Sequence, residues 1–258
     1  MDATAASGAQ LGETRPPGEL VRLSGVHKLY GGSLDGVPAL SDINLHVGAG
    51  ETVAICSPSG HGKTSLLNLI GLFEAASRGS VVIAGVCTSE LPDAARVDLR
   101  CRLIGYVAQH YTLISALTAQ ENVALPLTLR GPMDAAALAD AKALAGELLA
   151  RLGMRGRAHH YPARLDASFC QRVAIARALI TRPQLVLADE ATSRLDDAST
   201  RLVMDLFGAH QREYGTSIVF ATRDQRQLGR AARTLQLNGG RLTSTAANAP
   251  RGAYLVRA

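Results

Sequence analysis

The segment Thr52-Val-Ala-Ile-Cys-Ser-Pro-Ser-Gly-His-Gly-Lys-Thr-Ser65 constrains this chain more than any other. A short apolar run gives way to a Gly-containing loop and then to residues that open a helix. The spacing is close to that of a P-loop, in which Gly and four residues precede Gly-Lys-Ser/Thr. Ser57 stands where the first Gly belongs, while Gly62, Lys63 and Thr64 are in place. Such a loop turns successive backbone N–H groups and a helix N-terminus onto nucleotide phosphates. The expected phosphate site is therefore Ser57, Pro58, Ser59, Gly60, His61, Gly62, Lys63, Thr64 and Ser65. Lys63 would reach the β and γ phosphates, and Thr64 would ligate Mg²⁺. His61, at the fourth variable position, either adds a phosphate contact or faces solvent, and the second is the plainer expectation. Taken alone, the segment is equally compatible with a strand–loop–helix turn that holds nothing.

The 258 residues are 47% hydrophobic, enough for a substantial buried core in one large domain or two modest ones. No apolar run approaches the roughly 18 residues of a membrane span. The N-terminus lacks the basic and apolar segments of a secretory signal. Residues 1–18, small and polar, are expected to be a disordered tail, and the polar, Ala-rich 243–258 is expected to be a C-terminal tail and carries no motif. Cys56, Cys87, Cys101 and Cys170 form no CxxC pair, so they are expected to be buried or incidental thiols of a reducing cytosol. The formal charge of +5 comes almost wholly from arginines spread along the chain. Without a clustered basic run or interleaved aromatics, nucleic acid is not an expected partner.

Alternation of Ile43, Leu45 and Val47 with Asp42, Asn44 and His46 has the period of a half-exposed strand. With Leu20–Val26 it predicts an antiparallel layer ahead of the P-loop. Thr52–Cys56, Leu185–Ala188 and Ser217–Ala221 are instead almost unbroken apolar runs, as expected of strands buried on both faces of a parallel sheet. Helical patterns between them indicate an α/β core with crossover helices. Residues 134–152 place Leu138, Ala141, Ala145, Leu148 and Leu152 on one helical face, with Gly153 as a stop. A helical insertion is expected around that helix, over roughly 110–165.

The strand Leu185-Val-Leu-Ala-Asp-Glu190 ends in two carboxylates. An ATPase of the P-loop kind needs an acidic residue at a neighbouring strand tip to hold Mg²⁺, and Asp189 is placed for that. Glu190 then stands where a general base could take a proton from an attacking water. An isolated Asp-Glu at a strand end would more simply be solvated acids; its company with Gly62, Lys63 and Thr64 favours the site.

Here the chain resembles the ATP-binding cassette (ABC) ATPases, through seven segments in that family's order between about 20 and 242. Tyr30 matches an adenine-stacking aromatic, and the P-loop follows. Gln109, in Gly105-Tyr-Val-Ala-Gln109, matches a glutamine that joins the metal site to a transmembrane partner. Leu165–Arg172 occupies the signature segment, Asp189 and Glu190 the Walker B pair, Ser193–Asp196 the D-loop, and Ala221–Asp224 the switch-histidine segment. Leu117-Thr-Ala-Gln-Glu-Asn-Val-Ala-Leu-Pro126 is most similar to the lipoprotein-release and macrolide-export class. The resemblance implies a P-loop NTPase (RecA-like) core with an antiparallel β subdomain and an inserted α-helical subdomain, all in one domain over 19–242. It implies ATP and Mg²⁺ as ligands, with Tyr30 and Gln109 in the nucleotide site and Thr64, Gln109 and Asp189 around the metal. The catalytic set it implies is Glu190, Lys63, Gln109 and the residue at the switch position. Its partners would be a second ABC subunit and a transmembrane permease, which would place the chain in the cytoplasm on the inner face of the membrane.

Three departures bear on activity. Ser57 costs little if its φ stays negative and more if the turn needs φ above zero. The family's Leu-Ser-Gly-Gly-Gln is here Leu165-Asp-Ala-Ser-Phe169. Asp166 would set a carboxylate beside a polyanion, a repulsion of roughly 1–4 kcal/mol at ~4 Å, and as a strong N-cap it would occupy the N–H groups a phosphate needs. Ala167 and Ser168 add Cβ atoms, and Phe169 is expected to start a buried face with Val173, Ala176 and Ile180. Arg223 replaces the switch histidine. It can pair with phosphate, bind Glu190 and silence the base, or point to solvent. Groups that hold nucleotide within one chain are thus kept, whereas those acting across a dimer or at the γ-phosphate are altered. The expectation is an ATPase subunit of reduced activity. The alternative is a regulatory subunit that binds ATP with little turnover, including one that switches an envelope process without moving a substrate. The soluble cassettes of translation and DNA repair carry tandem cassettes or long coiled coils, and neither is present.

Overall fold

The computed structural model describes residues 18–31 and 36–244. Strands β1 (Glu19–Tyr30) and β2 (Val37–Gly48) pair antiparallel, with Val21 opposite Val47 and Leu23 opposite Leu45. Strand β3 (Thr52–Cys56) runs through the P-loop into helix α1 (Lys63–Ile70). Strands β4 (Arg78–Ile83) and β5 (Val86–Cys87) complete a first sheet in the order β2-β1-β4-β5. Helix α2 (Asp93–Leu103) leads into β6 (Ile104–Val107), and α3 (Ala119–Thr128) and α4 (Ala135–Arg151) follow. A 3₁₀ turn at Pro162–Arg164 precedes α5 (Ala167–Leu179). Then come β7 (Leu185–Asp189), α6 (Asp197–Tyr214), β8 (Ser217–Thr222), the short α7 (Gln225–Leu228), β9 (Arg233–Asn238) and β10 (Arg241–Ser244). The second sheet has the order β10-β9-β3-β8-β7-β6, parallel from β9 to β6 with β10 antiparallel at its edge.

The three apolar runs are the three central strands, and both of their faces are covered. Ala54, Val186, Ala188, Ile218 and Phe220 pack into one core with α3 to α6. Their neighbours Val53, Ile55, Leu185, Leu187, Val219 and Ala221 pack into another with α1 and the antiparallel sheet. This two-sided burial is why these strands show no polar alternation. In β2 the opposite holds: Ile43, Leu45 and Val47 are buried while Asn44 and His46 face solvent. The α/β fold with an antiparallel layer is as expected.

Helices α3 and α4 fall inside the stretch 110–165. On α4, Ala141, Ala145 and Leu148 are buried and Leu152 caps the C-terminus, but Leu138 is exposed. The first turns of α4, from Asp134 to Asp140, are exposed or only half-buried, so its buried apolar face starts one turn later than the expected one. Gly153 takes a left-handed φ of 73°, in keeping with a stop. Of the cysteines only Cys170 is buried; Cys56 is half-buried, Cys87 and Cys101 are exposed, and all four are free thiols. The expected tails lie outside the described residues, except for Gly18 and for Thr243–Ser244, which complete β10.

His210 on α6 is buried, with its ring 4.6 Å from that of Tyr214. Its Nδ1 lies 3.1 Å from Thr216 Oγ1, and that hydroxyl donates to Pro183 O at 2.8 Å. Burial pushes the imidazole pKa down to about 4. The unfolded chain therefore takes up this proton first, near its ordinary pKa of ~6.5. Stability is intact above that pH and declines as pH falls toward 4, by on the order of 3 kcal/mol for a gap of this size. Urea unfolding between pH 7 and 4 should show this loss, with a slope shallower by up to one proton in His210→Gln. An unchanged slope in that variant would remove His210 as its source.

Candidate active site

The P-loop is shaped by Gly62, which has a left-handed φ of 97°. A Cβ there would sit 2.6 Å from the Ala39 carbonyl oxygen, so the close approach of β2 requires glycine. No side chain caps α1, and its first turn has no acid. Thr118, Asp134, Asp166 and Asp196 cap α3 to α6. The first N–H groups of α1 thus lack a side-chain acceptor, the condition for anion binding at a helix start. Ser57 is buried with φ outside the left-handed region, and its Oγ donates to Pro58 O at 3.0 Å. Its Cβ therefore brings no backbone strain. The Lys63 ammonium is also buried. It donates to Ser57 O at 2.8 Å and Pro58 O at 2.9 Å, and lies 3.4 Å from Glu190 Oε1.

Because β8 lies between β3 and β7, the tips of all three meet at one sheet edge. Thr64 Oγ1 donates to Asp189 Oδ2 at 2.6 Å. Burial pushes the Asp189 carboxyl up and the Glu190 charge adds to that, while the Thr64 hydroxyl and Lys63 pull it down; the net shift is upward. Glu190 leaves the strand with a left-handed φ of 44°, held by its N–H to Ala221 O at 3.0 Å. This uncommon conformation for an L side chain accompanies a carboxylate that meets the neighbouring strand's tip. Its Oε2 accepts from Arg223 Nη2 at 2.7 Å and Nε at 3.1 Å, and from Gln109 Nε2 at 3.4 Å. Arg223 Nη1 reaches on to Ser59 Oγ at 3.2 Å. Of the three courses open to Arg223, the one taken is the ion pair with Glu190.

Ser59 through Ser65, Gln109 and Glu190 line one cavity, together with Pro38, Ala39, Gly239 and Gly240. Those last four were not legible as site residues. The Gly239-Gly240 dipeptide marks a turn, but its place against β2, held by the 2.8 Å bond from Ser41 N to Gly240 O among other contacts, is a tertiary feature. His61 does not simply face solvent: its Nδ1 accepts from Gly239 N at 3.1 Å and ties the P-loop to the same turn. Tyr30 stands beside the cavity and not in its lining. Its hydroxyl bridges Ser65 Oγ at 3.0 Å and Glu74 Oε2 at 2.8 Å, with Lys28 Nζ 2.9 Å from that carboxylate.

Asp166 accepts from Phe169 N at 2.9 Å, the expected N-cap, and α5 contributes no residue to the cavity lining. Val173, Ala176 and Ile180 are buried, but Phe169 is only half-buried. It packs against the edge of the core and also meets the guanidinium groups of Arg157 and Arg172, at 4.0 and 4.8 Å, so cation–π contact supplements core packing. His159 is exposed and His160 half-buried, and no group of three metal-ligating side chains occurs among the described residues.

The sequence profile of the family described as ABC transporter matches residues 40–193, which include the P-loop, Gln109, α5 and the Asp189–Glu190 pair. The chain belongs to the ABC transporter family. The lipoprotein-releasing system ATP-binding protein LolD of Bordetella avium is 38% identical over 86% of this chain and 95% of its own length. The macrolide export ATP-binding/permease protein MacB of Hyphomonas neptunium is 36% identical over 90% of this chain, which corresponds to 35% of that protein. The dimeric post-hydrolysis ATP-binding cassette MJ0796 bound to ADP and Pi superposes with a TM-score of 0.83 and 35% identity, covering 90% of this chain and 100% of that one.

Against this ABC framework, the Asp166 cap gives the altered signature a measurable structural role. Asp166→Ala should lower unfolding stability by about 1 kcal/mol, the usual value of an N-cap. Urea denaturation checks this, and an unchanged midpoint would mean that the carboxylate does not cap α5 in solution.

Proposed function

We propose that this chain is the ATP-binding subunit of a membrane ABC complex, in which MgATP binding, pairing with a second ABC subunit and hydrolysis drive a separate transmembrane permease. The observation that carries the proposal is the meeting of Lys63, Thr64 and Glu190 at one cavity by the uncapped start of α1, with Asp189 hydrogen-bonded to Thr64. These residues suit the ligand. The bare helix start and the buried ammonium offer donors and charge for phosphate. The Thr64 hydroxyl and Asp189 carboxylate are hard oxygen donors of the kind Mg²⁺ takes. Bound MgATP would supply the phosphoanhydride and the cation that offsets its charge.

The chain's own residues then have separable tasks. Lys63, held by two carbonyls, keeps a positive charge under the loop. Ser59, Gly60 and Gly62 offer backbone N–H groups, and Thr64 and Asp189 hold the metal. Gln109 orients Glu190 from the tip of β6. Glu190 Oε2 is the proton acceptor for water. That oxygen already accepts N–H donors from Arg223 and Gln109, so accepting a proton requires one of them to leave. This supports reduced turnover, and with Asp166 at the signature it favours a second reading, a regulatory subunit that binds ATP with little hydrolysis. A permease partner is supported by the relatives' names, one the ATP-binding protein of a lipoprotein-releasing system and the other an ATP-binding/permease protein; among the described residues no helix is long and apolar enough to cross a membrane.

Phosphate release by the purified chain tests this. Glu190→Gln should lower turnover by about 100-fold or more, and Arg223→His should raise it several-fold. Equal rates in the parent and Glu190→Gln would select the regulatory reading, and absence of MgATP binding would sink both.

A further inference from the structure

We infer that Arg194 is a positioning residue that, through His110, holds Gln109 against Glu190; the inference rests on the hydrolysis reading above. Arg194 Nη2 lies 2.6 Å from His110 Nδ1. A guanidinium has no acceptor, so the arginine donates and Nδ1 accepts. This bond joins the loop that leaves β6 to the loop that leaves β7. A second contact between the same loops is the bond from Gln109 Nε2 to Glu190 Oε2, 3.4 Å long.

The two contacts differ in strength. At 3.4 Å the Gln109 bond lies beyond the usual N–H···O range and holds little by itself. The Arg194 bond is short and its donor is charged, which makes it the stronger of the pair. His110 follows Gln109 directly in the chain, so fixing the imidazole limits where the neighbouring amide can reach.

The loops also differ in how they are held. After β7, Glu190 N donates to Ala221 O, Ser193 N to Glu190 O and Leu195 N to Thr192 O, all at 3.0 Å, and Asp196 then caps α6. Thr192 Oγ1 accepts from the buried Gln227 Nε2 at 2.8 Å. Arg194 therefore projects from a closely bonded turn. The loop after β6 leans on side chains of α5: Gln171 Nε2 donates to Ala108 O at 3.2 Å and Arg177 Nη1 to Thr112 O at 2.7 Å. Those bonds hold it from one side, and Arg194 holds it from the other. Neither Arg194 nor His110 lines the P-loop cavity, so their tie bears on Glu190 and not on the groups that hold phosphate.

Steady-state phosphate release and amide hydrogen exchange, both on the purified full chain, test the inference. Because Arg194 and His110 are exposed, the tie is worth one net hydrogen bond, and Arg194→Ala should lower kcat about three- to tenfold with KM for MgATP unchanged. Arg194→Lys and His110→Asn keep a donor and an acceptor and should retain most of the rate, whereas His110→Phe should not. In the Gln109→Ala background, Arg194→Ala should cost nothing further, because one acts through the other. Peptides spanning 108–112 should exchange faster in Arg194→Ala, with peptides over α1 at the parent rate. Unchanged exchange at 108–112, losses that add in the double variant, or a rise in KM as large as the fall in kcat overturns the inference and leaves the hydrolysis reading standing. Phosphate release by the parent that does not depend on Glu190 overturns the hydrolysis reading instead, and the exchange result then decides the tie by itself.

Discussion

The parallel pairing of β8 with β3 on one side and β7 on the other is the constraint on which the rest depends. Its register sets Cys56 beside Thr222 and Asp189 beside Ala221. The P-loop, the two carboxylates and Arg223 come from positions up to 166 residues apart, from Ser57 to Arg223, and this ladder makes them neighbours. Strands buried on both faces have little freedom to slip, because a one-residue shift would exchange the side chains of the two cores. The helices above and the antiparallel sheet below therefore fix the geometry of the site indirectly, through register.

Within that frame, electrostatics decides the character of the cavity. A buried ammonium is costly unless paired and hydrogen-bonded, and Lys63 meets that cost with two loop carbonyls and Glu190. Glu190 in turn is shared among Lys63, Gln109 and Arg223, so one carboxylate links the P-loop, the β6 tip and the β8 tip. The departure at 223 is thus not an isolated surface change. It adds a charge beside Glu190, and it ties that carboxylate to Ser59 on the loop opposite.

Much of the fold could be seen in the chain because its patterns are local. Alternation around Ile43, Leu45 and Val47 marked a one-sided strand, and the unbroken runs at 52–56, 185–188 and 217–221 marked two-sided ones. Where local pattern failed, packing extent was the cause. Leu138 has the right period but lies on an exposed turn, and Phe169 starts an apolar face yet is only half-buried, with two arginines against its ring. His61 is chemically unspecific in sequence; its bond to Gly239 depends on a turn 178 residues away.

The sequence alone determined the strand–loop–helix of the P-loop, the Asp189–Glu190 pair and the Asp166 cap, since each is specified by residues within a few positions of one another. Only the tertiary structure decided that Arg223 binds Glu190, that Ser57 brings no backbone strain, and that Pro38, Ala39, Gly239 and Gly240 close the cavity. Those outcomes depend on long-range strand register and on the left-handed turn at Glu190. Neither leaves a periodic or compositional trace in the chain.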